Sequence, residues 1–168
     1  MKRVLFYAAA VFILCGAIAL AGCGYTFLGS KGLKVASIRI GEIKNESTEP
    51  GLSEMLVSAL SDELMKQGIS VDRSSPNVLD GSIQKFELTG VSEADQSFTA
   101  YQISISGRFV YRDATGKEFV LLGSSPFIIS FSSQGALNQV FAQRQLAVQA
   151  GMQDLSSQIV SGLLIQYR

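Results

Sequence analysis

The sequence predicts an α+β fold, a two-layer sandwich in which two helices pack on one face of a mostly antiparallel sheet of about four strands. Residues 50–67 and 137–166 carry apolar side chains at helical spacing, and the clearest strand pattern, over residues 99–112, lies between them. Each helix has one apolar stripe and the sheet has one apolar face. Packing the helices on the sheet buries all three surfaces, which is the arrangement of a two-layer sandwich.

The first strand and the first helix have the strongest local signals. Residues 33–43 are rich in β-branched side chains that alternate with polar ones, which is typical of a strand. Turn-forming residues follow, and a helix is predicted from about residue 50 to 67. Pro50 suits its first turn and Gly68 its C-terminal cap. The apolar positions of this helix are Leu52, Met55, Leu56, Ala59, Leu60 and Leu64.

Two weaker strand patterns come next. Residues 69–73 are predicted to form a short edge strand, and residues 78–88 the second main strand. The segment 74–77 contains a proline and an asparagine and separates the two strands. Residues 90–97 are polar and acidic, so we expect a loop there.

The strand over residues 99–112 alternates clearly. Aromatic and branched aliphatic side chains share one of its faces, and serine, glutamine and arginine, with Val110 among them, share the other. Residues 113–116 predict a hairpin loop, with Gly116 supplying positive φ. Residues 117–122 then return antiparallel, and residues 127–131 are expected to extend that strand past a break at Pro126.

The last predicted element is a long helix over residues 137–166. Apolar side chains recur along it with helical spacing and form one stripe. The members of this stripe are Val148, Met152, Leu155, Ile159 and Leu163.

An export signal precedes the domain. Lys2 and Arg3 are followed by an apolar run that closes on Leu-Ala-Gly-Cys at 20–23. This tetrapeptide resembles the bacterial lipobox, which implies that Cys23 is alkylated by a diacylglyceryl group and that the chain is cleaved before it. Gly24 directly follows the lipidated cysteine. An aspartate at this position tends to retain Gram-negative lipoproteins in the inner membrane, so the glycine favours an outer-membrane location.

These features predict three segments. Residues 1–22 are a lipoprotein signal peptide, residues 23–33 a lipidated, glycine-rich tether, and residues 34–168 a single α+β domain. The alternative for the N-terminus is an uncleaved transmembrane helix, because residues 4–21 are long enough to be a candidate span. The basic residues lie on one flank alone, which favours the signal peptide.

Composition excludes several classes of function. The chain has no histidine, and its two cysteines, Cys15 and Cys23, fall in the signal peptide and at the lipidation point. The domain therefore lacks the residues for Ser-His-Asp or Cys-His catalysis and for a His or Cys metal site. It also lacks the glycine motifs that bind nucleotides. Basic and acidic side chains are equal in number, 14 of each, which does not favour nucleic-acid binding. We therefore expect no enzyme activity and no cofactor beyond the covalent lipid on Cys23.

Three stretches resemble a known family. Residues 20–27, 35–45 and the helix-opening Glu-Pro-Gly-Leu at 49–52 are similar to the LptE lipopolysaccharide-assembly lipoproteins, whose element order and length also fit. The resemblance implies a lipid-anchored protein on the periplasmic side of the outer membrane. It would plug the β-barrel of LptD, help that barrel to assemble and support lipopolysaccharide transport to the outer leaflet.

The resemblance also implies contact with lipopolysaccharide, whose lipid A phosphates call for exposed Lys or Arg. By position and charge the candidates are Lys44, in the predicted first loop, and Arg108, Arg112 and Lys117, around the 113–116 hairpin. Each of these is also explained by an ordinary solubilising role. The polar face of strand 99–112 suits a polar barrel lumen, but it equally suits the wet side of any sheet. The alternative function is a pilot or scaffold lipoprotein of another envelope or secretion complex.

Overall fold

The computed structural model describes residues 35–94, 97–122, 126–132 and 137–167. The predicted signal peptide, Cys23, the tether and the alternative membrane span lie outside the described residues. Within those ranges, neither helix is both long and apolar enough to cross a membrane.

The described chain forms two helices and a six-stranded sheet, and the predicted two-layer sandwich is confirmed. Along the sheet the order is β2-β1-β3-β4-β5, and β6 also pairs with β4. The elements in chain order are β1 (Ser37–Asn45), α1 (Leu52–Lys66), β2 (Ser70–Val71), β3 (Val78–Ala94), β4 (Ser97–Arg112), β5 (Glu118–Leu122), β6 (Phe127–Ser132) and α2 (Leu137–Ile165).

The expected sheet of about four mostly antiparallel strands is wrong in two respects. The sheet has six strands, and it is mixed, because β1 runs parallel to both of its neighbours, β2 and β3. The cause is α1, a crossover helix that leads the chain from the end of β1 back to the level at which β1 begins. β2 therefore runs in the same direction as β1. The loop after β2 then leads into β3 without reversing the chain.

The hairpin between β3 and β4 is longer than predicted. Its pairing continues to Ala94 and Ser97, through most of the stretch expected to be a loop. Backbone pairing in a hairpin does not require apolar side chains, which is why the polar composition of 90–97 misled the prediction. The predicted single strand over 117–131 is instead two strands, which pair with different parts of β4.

Two irregularities set which side chains face the helices. The register between β1 and β3 shifts between Ile40 and Ile43, so that Ile43 is buried together with Ile38. A second shift, between Ile83 and Lys85, brings Phe86 opposite the buried Ile105. Such shifts reverse the alternation of side chains along a strand, and a strict two-residue period in the sequence cannot show them.

The core lies between the sheet and the two helices, where the sequence placed it. Five of the six predicted positions on α1 are buried, four of them leucines that are fully inaccessible to solvent, and the sixth, Met55, is partly buried. The predicted stripe of α2 is buried. α1 packs mainly against β1 and β2, and α2 packs against β6, β5 and the inward face of β4. Its large buried members are Ile103, Ile105, Phe109 and Tyr111, and those of α1 are Leu52, Leu56, Leu60 and Leu64.

Candidate functional site

The outer face of the sheet, opposite the helices, brings two of the predicted basic residues together. Lys44 on β1 is paired in register with Ser82 on β3, and Ser82 with Arg108 on β4. Adjacent strands lie about 4.8 Å apart, so the Cα atoms of Lys44 and Arg108 are separated by roughly 10 Å. The three side chains form one row across the sheet, and we call the concavity around this row the outer groove.

The outer groove has a volume of about 370 Å³. Seven of its eight lining residues belong to β1, β3 and β4, and the eighth, Glu46, directly follows β1, so the site is built on the sheet. Its lining residues are Glu42, Lys44, Glu46, Asp80, Gly81, Ser82, Arg108 and Val110.

The register shift in β1 determines where Lys44 lies. The sequence placed this residue in a loop, but it belongs to β1, one residue before the strand ends. At the shift, the backbone N–H of Glu42 donates to Asp80 Oδ1 at 3.0 Å. Gly41 permits this approach, because a Cβ at that position would lie 2.0 Å from the same oxygen. Since Ile43 faces the core after the shift, Lys44 faces the groove.

The two cations of the groove differ in their partners. Lys44 Nζ lies 3.6 Å from Glu42 Oε2, and both side chains are more than half exposed. An ion pair so exposed contributes about 0–1 kcal/mol, and an incoming anion can displace it. Arg108 is exposed, and it forms no ion pair within the part of the chain that the structure describes. Its guanidinium is therefore available to a ligand.

Arg112 and Lys117, the other two predicted contacts, already interact with side chains close to them. Arg112 Nη2 donates to Glu118 Oε1 at 2.7 Å, and Nη1 lies 3.8 Å from Asp80 Oδ2. The hydrogen bond that Arg112 donates to Glu118, together with the negative charge of that carboxylate, raises the pKa of Arg112. Lys117 Nζ lies 4.7 Å from the centre of the Phe119 ring, a cation–π contact. The four basic residues thus do not form one cluster.

The carboxylate of Asp113 organises the hairpin beside these residues. Its Oδ1 accepts hydrogen bonds from the Thr115 backbone N–H and hydroxyl and from the Lys117 backbone N–H. The Thr115 hydroxyl is the main reason that the pKa of Asp113 is lowered. Gly116 has φ +85°, which confirms the predicted role of glycine in this turn.

The groove is suited to binding rather than to bond-making chemistry. Two cations flank a serine hydroxyl, an arrangement that can hydrogen-bond to the oxygens of a phosphate or sulfate group. Three carboxylates share the lining, so the site attracts an anion through Lys44 and Arg108 individually and not through a large positive potential. Among the described residues, there is no group of three or more histidine, cysteine, aspartate or glutamate side chains placed to hold a metal ion.

Sequence reasoning missed Ser82 and Asp80. Both lie on β3, and only the pairing of β3 with β1 on one side and β4 on the other places them between the basic residues. The polar face of β4 was predicted correctly. Gln102, Ser104 and Ser106 alternate with the buried residues and lie on the outer face.

Solved structures of other bacterial proteins, two of them lipoproteins by name, have a similar fold. A minor lipoprotein from Acinetobacter baumannii is 12% identical with a TM-score of 0.55, and the match covers 80% of this chain and 94% of that one. The rare lipoprotein B from Shewanella oneidensis is 11% identical with a TM-score of 0.53, over 75% and 96% of the two chains. A DUF330 protein from Xanthomonas campestris is 15% identical with a TM-score of 0.55, over 82% and 89%. At these identities the likeness concerns the fold alone.

The sequence itself identifies the family. None of the curated proteins compared with the chain matches it. The family described as LptE, lipopolysaccharide-assembly, matches residues 35–163, from the residues just before β1 to near the end of α2. The resemblance seen in the sequence is thereby confirmed, and the chain belongs to the LptE lipopolysaccharide-assembly family.

Proposed function

We propose that this protein is an outer-membrane lipoprotein that plugs the LptD β-barrel, helps it to assemble and supports lipopolysaccharide transport to the outer leaflet. The observation that carries the proposal is the family match, because it covers all six strands, α1 and nearly the whole of α2. A match to a single motif would be far less specific.

The anchor is the first part of this function. Cys23 would carry the lipid after residues 1–22 are removed, and residues 23–33 would connect it to the domain on the periplasmic side. Each buried CH₂ of an acyl chain contributes about 0.8 kcal/mol, and stable anchoring requires more than one chain. Lipoproteins of this type carry three chains, so the domain would stay at the membrane permanently.

The outer face of the sheet fits the role of a plug in a polar lumen. Along β4 it presents amide and hydroxyl groups at Gln102, Ser104 and Ser106. Such groups can hydrogen-bond to a polar barrel interior without requiring a matching charge on the other side. The role needs a stable surface and no catalytic residues, and the protein would not act as an enzyme.

The outer groove is the proposed point of contact with lipopolysaccharide. Arg108 would bind a phosphate oxygen directly, and Lys44 would exchange its weak pair with Glu42 for the same ligand. The Ser82 hydroxyl between them can donate a third hydrogen bond. Arg112 and Lys117 would contribute less, because their cationic groups already have partners.

The identity of the partner can be tested by purifying the complex from membranes. Affinity-tagged full-length protein is extracted in mild detergent, and the co-purifying proteins are identified by mass spectrometry. A near-stoichiometric LptD-like barrel is the expected result. Depletion of the lipoprotein should then reduce both mature barrel and surface lipopolysaccharide. Recovery of a secretin or another envelope complex in place of the barrel would support the pilot or scaffold function and contradict the proposal.

A further inference from the structure

A second concavity lies between the two helices and opens to solvent. Its volume is about 190 Å³. Ala59 and Met152 form its floor and are nearly inaccessible to solvent, at 8% and 1% exposure. We call it the interhelical groove, and its lining residues are Met55, Ser58, Ala59 and Asp62 from α1 and Gln145, Gln149, Met152 and Gln153 from α2.

The wall contributed by α2 is a row of glutamines. Gln145, Gln149 and Gln153 are spaced by four residues, so they lie on one side of the helix with a rise of about 6 Å between neighbours. All three side chains are exposed, and none is hydrogen-bonded within the described residues. Each amide offers two donors and an acceptor to a ligand. On the other wall, Ser58 adds a hydroxyl and Asp62 a carboxylate.

The exposed side of α2 around this groove carries no charge. Between residues 139 and 153 its exposed side chains are glutamine, alanine, phenylalanine and leucine. Arg144, the one ionisable residue of that stretch, is half-buried and donates to Glu49 at 2.5 Å. Solvent-facing helix surfaces ordinarily mix charges of both signs. An uncharged, amide-rich surface is suited to a neutral ligand.

We propose that the interhelical groove binds a neutral sugar residue of an oligosaccharide chain. A sugar ring presents hydroxyl groups that both donate and accept, which matches the glutamine row, Ser58 and Asp62. Its C–H face is apolar and matches the floor made by Ala59 and Met152. The groove is smaller than the roughly 300–1,000 Å³ of pockets that enclose a whole drug-sized ligand. The groove therefore has room for a single sugar residue, and the rest of the oligosaccharide would lie outside it.

An exposed aromatic ring lies beyond one end of the glutamine row, where the next sugar of an oligosaccharide could bind. Phe141 lies four residues before Gln145, at the end of the glutamine row, and is 60% exposed. An exposed aromatic face is a platform on which a neighbouring sugar ring can stack. A phosphate is a poor ligand here, because the groove has no cation and Asp62 would repel it. The site is thus distinct in place and in chemistry from the outer groove.

The methionines make this inference directly testable. The chain has four, at positions 1, 55, 65 and 152, and two of them, Met55 and Met152, line the groove. Full-length lipoprotein in detergent, labelled with ¹³C at the methionine methyl groups, is titrated with maltohexaose, a neutral oligosaccharide. We expect the Met55 and Met152 resonances to shift in a saturable manner. Met65, 58% exposed and outside the groove, should not shift and serves as the internal control.

A variant and a matched control connect the shifts to the glutamine row. Gln149→Ala should weaken the affinity about two- to tenfold, the effect of one lost hydrogen bond. Gln143→Ala, on the same helix and exposed but outside the groove, should leave it unchanged. The fold is checked by the unaltered Met65 resonance.

A second titration identifies the source of the sugar. Dephosphorylated core oligosaccharide from lipopolysaccharide is compared with maltohexaose, and tighter binding of the core would assign the groove to that molecule. Equal binding would assign it to neutral glycans in general. The inference does not depend on the barrel partner. The absence of shifts with either neutral probe at millimolar concentration would overturn it. The inference would also be overturned if a protein partner, and neither sugar, shifted the Met55 and Met152 resonances, because the groove would then be a protein interface.

Discussion

The hydroxyl oxygens of Tyr111 and Tyr167 lie 2.5 Å apart and join the end of β4 to the residues that follow α2. Tyr111 donates to Asn77 Oδ1 at 3.1 Å, and the same oxygen accepts the backbone N–H of Ala114. Since the Tyr111 proton goes to Asn77, Tyr167 is the donor in the contact between the two tyrosines. Asn77 Nδ2 in turn donates to the Ser37 carbonyl, so this network connects β1, the β4–β5 hairpin and the C-terminus.

Removing the Tyr167 hydroxyl should measure what the C-terminal contact contributes. Tyr167→Phe should lower the free energy of unfolding by about 0.5–1.5 kcal/mol, because one hydrogen bond to a buried hydroxyl is lost. Urea denaturation followed by circular dichroism gives the value. Ile165→Ala, at a nearby residue that is 65% exposed, is the control and should change stability little. Equal losses in the two variants would mean that packing at the helix end, and not the hydrogen bond, is responsible.

The same tyrosine pair predicts a pH dependence. Burial, followed by the hydrogen bond to Tyr167, raises the pKa of Tyr111 well above its usual value of 10.0. The folded state therefore holds this proton more tightly than the unfolded state does. Its contribution to stability is fully present below about pH 10 and is lost progressively as the pH rises further. Unfolding free energies measured between pH 8 and pH 11, roughly the range that brackets the tyrosine pKa, should fall more steeply for the wild type than for Tyr111→Phe. Parallel curves would contradict this.

The core was predictable from the sequence because it depends on spacing along single elements. The leucines of α1 and the inward residues of β4 follow the 3.6- and two-residue periods, and both sets are buried as expected. The parallel pairing of β1 was not predictable, because no local pattern records which edge the chain returns to after α1. The sequence offered Lys44 and Arg108 as two of four basic candidates, but it did not show that these two lie in one groove. Lys44 and Arg108 meet only through the register of three strands and a shift at Gly41.

The leucine face of α1 should dominate the stability of the domain. Leu56 is fully buried between the helix and the sheet. Leu56→Ala should therefore cost about 2–5 kcal/mol of unfolding free energy, from lost burial and the cavity that remains. Met65→Ala on the same helix, at a residue that is 58% exposed, should cost far less. A near-zero loss at Leu56 in denaturant unfolding would mean that this face of the helix is not packed on the sheet.

Lipidation can be tested independently of the domain. Cys23→Ser should leave unprocessed precursor and abolish incorporation of labelled palmitate, because the thiol is the proposed site of acylation. Cys15→Ser removes the other cysteine and should leave processing and labelling intact. Labelling of the Cys23→Ser protein at the wild-type level would contradict the proposed anchor, and an unlabelled, unprocessed wild type would favour an uncleaved N-terminal segment.

The most direct test of the central claim is lipopolysaccharide binding by paired charge-reversal variants. The double variant that combines Lys44→Glu and Arg108→Glu should weaken co-precipitation of lipopolysaccharide by at least about tenfold, since two charge-assisted contacts are lost. Wild-type binding should also weaken with added salt, because exposed charges are screened over about 8 Å at physiological ionic strength. Arg112→Glu with Lys117→Glu should weaken binding less, because Glu118 and Phe119 already engage these side chains. Unfolding curves establish that both variants remain folded. Undiminished binding by the Lys44 and Arg108 variant would contradict the account and remove the outer groove as the contact site.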